Sequence, residues 1–67
     1  MLDYAALFKE KRMKLGHSQY TLAKLVGISQ PFLNQIETGV KKPSIDVFLK
    51  LCEVLGFDVT LTEKEYE

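Results

Sequence analysis

Few side chains in this sequence could act as a nucleophile, a base or a metal ligand. There is one cysteine, Cys52, and one histidine, His17. A thiol can attack an acyl carbon or hold zinc, and an imidazole can move a proton, but each needs partner groups at suitable spacing. His17 follows Gly16, with no second imidazole or carboxylate close by in sequence. Cys52 falls among apolar residues at helical spacing, the place of a core thiol rather than a reactive one. A single cysteine excludes an internal disulfide, and one cysteine with one histidine does not make an ordinary zinc site. No glycine-rich phosphate loop and no nucleophile–base pairing is visible. The expectation is a protein that is not an enzyme and uses no metal or cofactor.

The charged residues carry a different signal. The nine basic and nine acidic side chains cancel to a net charge of zero. They are unevenly placed. Residues 1–42 hold seven basic groups (Lys9, Lys11, Arg12, Lys14, Lys24, Lys41, Lys42) against three acidic ones (Asp3, Glu10, Glu37), a balance of +4. Residues 43–67 hold Lys50 and Lys64 against Asp46, Glu53, Asp58, Glu63, Glu65 and Glu67, a balance of −4. A basic half and an acidic half suit one face for a polyanion and another turned away from it. Chance in a small protein gives the same split.

Sixty-seven residues make one domain, spanning 1–67, with an apolar content of 46% and 27% charge typical of a globular chain. At this size folding buries only about 60% of the exposable surface, so tight helical packing or oligomerisation has to compensate. No apolar run is long enough to cross a membrane. The first residues, MLDYAALFKEKR, lack a basic segment followed by an apolar one, and a cytoplasmic location is expected.

Four helices can be read from caps and periodicity, at about 3–15, 18–26, 29–38 and 44–55. Asp3, Ser18, Ser29 and Ser44 stand at their starts as N-caps. Tyr4, Phe8, Arg12 and Leu15 share one face of the first helix. Gly16, Gly27, Gly39 and Gly56 stand at or after the helix ends. Pro31 sits in the first turn of the third helix, where its missing N–H costs nothing. Leu22, Ala23, Val26, Leu33, Ile36, Ile45, Leu49, Cys52 and Leu55 are the expected core. After Gly56 the period changes to two, with Phe57, Val59 and Leu61 alternating with Asp58, Thr60 and Thr62. That pattern reads as a strand at about 57–62.

Two features ask for a partner. The fourth helix carries a second apolar stripe, Val47, Leu51 and Val54, and the strand has no mate in its own chain. A twofold axis would cover the stripe and pair the strands, so a homodimer is expected, with Val47, Leu51, Val54, Phe57, Val59 and Leu61 at its interface. The alternative is a tail that folds back on its own fourth helix.

The second and third helices make a helix-turn-helix candidate running QYTLAKLVGISQPFLNQIET from Gln19 to Thr38. Ala23 lies where two helices cross most closely. Gly27 permits the sharp turn. Leu22, Val26, Ile28, Leu33 and Ile36 hold the second helix of the motif across the first.

Through these residues the sequence resembles the phage-repressor/Cro-type, or XRE-like, helix-turn-helix family over about residues 4–56. Arg12, the segment Ile36-Glu37-Thr38-Gly39 and the segment Lys41-Lys42-Pro43-Ser44 extend the resemblance. The tail looks more like the subgroup whose C-terminal strand pairs across a dimer, including antitoxins of the HipB type. The resemblance implies an all-α, compact, lambda-repressor-like four-helix bundle with a short C-terminal strand used in dimerisation. It implies a third helix in the major groove of double-stranded DNA, with Gln30, Pro31, Phe32, Asn34 and Gln35 facing the base edges. Gln and Asn amides can pair bidentately with adenine, and Phe32 suits either a thymine methyl or the core. Pro31 departs from the polar residue usual at its place. Ser18, Gln19, Thr38, Lys41 and Lys42 map to backbone-phosphate positions. Arg12 and Glu37 map to an ion pair between the first and third helices. The implied function is a sequence-specific transcriptional regulator, a repressor, on an inverted-repeat operator. The alternatives are an antitoxin that also binds a partner toxin, and a protein-interaction module without DNA binding.

Overall fold

The computed structural model describes residues 3–64; Glu65 and Glu67 of the acidic tail lie outside them. Within them the chain forms α1 (Tyr4–Lys14), α2 (Gln19–Val26), α3 (Gln30–Glu37) and α4 (Ile45–Leu55). Each helix begins at a side-chain cap. The side-chain oxygens of Asp3, Ser18, Ser29 and Ser44 accept from the backbone N–H of Ala6, Thr21, Phe32 and Val47, at 3.2, 3.0, 3.2 and 3.2 Å. Each satisfies a donor that the helix itself leaves free and contributes about 1 kcal/mol.

Gly27 makes the turn between α2 and α3. Its φ of +87° is a left-handed conformation that side chains resist. There the N–H groups of Gly27 and Ile28 both donate to the Ala23 carbonyl, at 2.8 and 3.0 Å, so α2 ends after eight residues. Only Gly27 and Ile28 separate α2 from the Ser29 cap. A second left-handed glycine, Gly56, ends α4 and lets the Phe57 N–H donate back to the Cys52 carbonyl at 2.8 Å.

α1 lies against α3 and α4, and α2 against the same two helices. Phe8, Leu22, Ala23, Leu33, Ile36, Leu51, Cys52 and Leu55 form the buried cluster. At one end Tyr4, Phe8, Phe48 and Phe57 meet edge-on or tilted, with ring centroids 5.4 to 6.0 Å apart, and fix α1 to α4. Val26 is only half-buried. Leu15 is exposed at the C-cap of α1 instead of continuing the Tyr4–Phe8 face.

Three expectations are corrected. First, the inward face of α4 takes residues from both stripes: Cys52 and Leu55 are buried as expected, and Leu51 of the stripe assigned to a partner is buried with them. Leu51 is fully buried and Val47 and Val54 pack on the core, whereas Ile45 and Leu49 are 68% and 43% exposed. Both stripes have helical spacing, and the crossing of α4 over α1 and α2 sets which residues of each turn inward. Second, Leu51 therefore has no surface left for a dimer interface, and Phe57 packs on Phe8 of its own chain. Third, no strand forms among the described residues; 57–64 continue without regular structure. Alternating pattern alone does not make a strand, because its backbone groups find no second segment to pair with.

Candidate nucleic-acid interface

The Arg12–Glu37 pair decides how α3 is presented. Arg12 projects from the last turns of α1, and Glu37 closes α3. Arg12 Nε donates to Glu37 Oε2 at 2.7 Å and Nη2 to Oε1 at 3.0 Å, a two-pronged contact. Arg12 Nη1 donates to the His17 carbonyl at 2.8 Å, tying in the loop before α2. Both side chains are buried, Arg12 at 9% exposure and Glu37 at 6%. Burial at this depth is tolerated because each charge faces its opposite and its polar atoms are matched; among the described residues no buried side-chain N or O lacks a partner.

Gln19 joins this network from α2. Its Nε2 donates to Glu37 Oε1 and to Asn34 Oδ1, both at 3.1 Å. Sequence reasoning placed Gln19 at a phosphate and missed this bridge. The signal available was an amide at the first position of α2 and a carboxylate at the end of α3, which meet only once the two helices cross.

With Leu33, Ile36 and Glu37 turned inward, α3 presents Gln30, Pro31 and Asn34 to solvent, with Asn34 four residues from Gln30 and three from Pro31 on one face. Gln35 is half-buried beside them. Phe32 is also half-buried and packs on the core. The N–H groups of Val40 and Lys41 both donate to the Gln35 carbonyl, at 2.9 and 3.1 Å, and pin the following loop to the end of α3. That loop carries Lys41 and Lys42, both exposed and neither in an ion pair among the described residues. The Ser18 hydroxyl caps α2 and donates to Thr21 Oγ1 at 3.0 Å. The Thr38 hydroxyl donates to the Asn34 carbonyl at 2.9 Å. Either hydroxyl must turn before it can donate to a phosphate. Two residues passed over in the sequence, Tyr20 and Lys24, flank Gln30 along a shallow cleft and are exposed.

The assembled surface offers side-chain amides on a convex helix and ammonium groups beside it. That chemistry suits hydrogen bonding to base edges with phosphates alongside. Among the described residues no group of His, Cys, Asp and Glu could hold a metal, and no helix is long and apolar enough to cross a membrane.

Comparison with known proteins places this chain in a family. A helix-turn-helix family model matches residues 8–62. The chain is 43% identical over 63 residues to a propionyl-CoA carboxylase regulator of Cereibacter sphaeroides, an alignment covering 92% of this chain but 14% of that protein. It is 40% identical over 53 residues to the uncharacterized HTH-type transcriptional regulator YqaF of Bacillus subtilis, covering 79% of this chain and 70% of the relative. It is 35% identical over 60 residues to the uncharacterized HTH-type transcriptional regulator YgzD of the same species, covering 85% and 91%. This chain thus belongs to the XRE-type helix-turn-helix family, a DNA-binding and non-enzymatic class.

Proposed function

We propose that this chain is a sequence-specific transcriptional regulator, a repressor that binds an inverted-repeat operator as a homodimer. The observation that carries the reading is the outward face of α3. It presents Gln30 and Asn34 beside Gln35, is flanked by Lys41 and Lys42, and is braced from behind by the buried Arg12–Glu37 pair. The amides supply base readout and the lysines supply sequence-independent attraction to phosphate. Occupying an operator excludes competing proteins, which makes repression the direct outcome of binding.

Exposed apolar surface supports the dimer. Ile45 and Leu49 on α4, with Val59 and Leu61 beyond it, are 68%, 43%, 49% and 96% exposed. A second copy presenting the same residues would bury them about a twofold axis. Recognition helices about 34 Å apart would then match half-sites one DNA turn apart.

Selection from random duplexes, followed by titration of the winning site across salt concentrations, tests the function. An inverted repeat and a steep loss of affinity with salt are expected. Absence of binding to any duplex at low salt overturns the DNA-binding reading and favours an interaction module. Sedimentation at tens of micromolar tests the dimer, which Leu49→Glu should dissociate; a wild-type monomer would refute it.

A further inference from the structure

The side chains Gln19, Asn34 and Glu37 form a chain of hydrogen bonds whose direction is fixed by chemistry. Glu37 is a carboxylate paired with Arg12, so it accepts only. Gln19 lies 3.1 Å from Glu37 Oε1 and must therefore turn its NH2 toward it. The same nitrogen lies 3.1 Å from the Asn34 amide. A second N–H of that group points to Asn34, and a donor there requires Asn34 to present its oxygen, Oδ1. The Asn34 NH2 is left facing away from Gln19, on an exposed residue of the outward face of α3.

We infer that Gln19 sets the base preference of Asn34 by holding its amide in one orientation, so that Asn34 offers hydrogen-bond donors and reads an acceptor edge. The inference rests on the DNA-binding reading and deepens it. A free Asn amide pairs with adenine by accepting from N6 and donating to N7. With Oδ1 engaged by Gln19, that two-way pairing is weakened. An NH2 group free to donate suits guanine, whose O6 and N7 are neighbouring acceptors, and next thymine, whose O4 is one. Against adenine, the N6 donor would confront another donor. Gln19 is thus a positioning residue. Its effect passes from the buried Arg12–Glu37 pair in the bundle to one position in the groove.

Two measurements on the full chain test this. In the free protein, the side-chain amide protons of Gln19 should exchange with solvent more slowly than those of Asn34, because both are hydrogen-bonded. The reverse order would overturn the orientation. In duplex selections, Asn34→Ala identifies the base position that Asn34 reads. Wild type should take guanine there, or thymine second, and disfavour adenine by about tenfold. Gln19→Met keeps the side chain's length and removes its amide; it should relax the preference so that adenine is accepted about equally. A phosphate contact by Gln19 would weaken all sites alike and leave this ratio unchanged. Wild-type preference for adenine or cytosine, no preference at all, or an unchanged ratio in Gln19→Met would each overturn the inference. If Gln19→Met does not fold, the wild-type base preference and the exchange order still decide. Absence of duplex binding fails the proposed function as well, whereas tight binding with the wrong base at this position fails the present inference alone.

Discussion

Arg12 Nε stands 2.7 Å from Glu37 Oε2, joining residues 25 apart in sequence, and the other carboxylate oxygen takes both Arg12 Nη2 and Gln19 Nε2. One carboxylate therefore receives a group from α1 and a group from α2 at the end of α3. The three helices that build and brace the proposed recognition surface meet at Glu37, and its loss is felt by all of them. Glu37→Ala should cost about 3–5 kcal/mol, because it leaves the Arg12 guanidinium buried without its counter-charge. Arg12→Met combined with Glu37→Ala should cost less than the sum of those two single changes, because the second change removes a charge the first left unpaired. Denaturant unfolding of all four proteins gives the coupling, and additive losses would contradict a functioning pair.

The two sides of α4 make contrasting predictions. Leu51 is fully buried and Ile45 is 68% exposed. Leu51→Ala should cost about 2–5 kcal/mol, the sum of lost burial and a residual cavity. Ile45→Ala should change monomer stability by less than about 0.5 kcal/mol, as is usual for exposed positions. Unfolding at low micromolar protein, where association contributes least, separates the two. Equal losses would mean that both stripes are buried.

Much of this bundle was legible in the sequence because its signals are local. Ser18, Ser29 and Ser44 announce helix starts through hydrogen bonds to residues three positions on, and Gly27 announces a turn through its own backbone angle. Ala23 and Leu33 fall in the core because the spacing between two adjacent helices leaves little choice. Legibility failed where position depends on a third element. Ile45–Leu49 and Val47–Leu51 have equal claims to the inside by spacing, and only the way α4 crosses α1 and α2 decides. Gln19 starts a helix, but its contact with Asn34 and Glu37 arises from the angle at which α3 crosses α2. The tail alternates like a strand, yet pairing is a property of two segments, and one chain supplies a single candidate.

Cys52 gives a pH-dependent prediction. Burial pushes its thiol above the ordinary value of 9.0, because the thiolate loses solvation inside the bundle. The folded state thus favours the protonated thiol. This contribution to stability is complete below the unfolded pKa and is lost as pH rises from there through the folded one. The melting temperature of the wild type should therefore fall more steeply above about pH 9 than that of Cys52→Ala, which has no thiol to ionise. Alkylation should also be slow in the folded protein and rapid once denaturant unfolds it. Parallel melting curves for the two proteins, or fast alkylation without denaturant, would show that Cys52 is open to solvent.

Lys41 and Lys42 lie exposed in the loop after α3, pinned by the paired bonds of Val40 and Lys41 to the Gln35 carbonyl. On a duplex, each ammonium that neutralises a phosphate releases condensed counterions, so the logarithm of affinity falls with the logarithm of salt by about 0.9 per contact. Lys41→Ala should lower that slope by about one and weaken every sequence to a similar degree, and Lys42→Ala should do the same. Gln30→Ala should behave oppositely. It should leave the salt slope nearly unchanged, cost about 1–3 kcal/mol on the preferred operator, and relax preference at one base position in each half-site. Titrating the three variants against the selected operator and a scrambled duplex, each at several salt concentrations, separates the two kinds of contact. A lysine variant that loses affinity only on the operator, or a Gln30 variant that loses it on both duplexes alike, would reverse the assignment of phosphate contact to the loop and base contact to the helix.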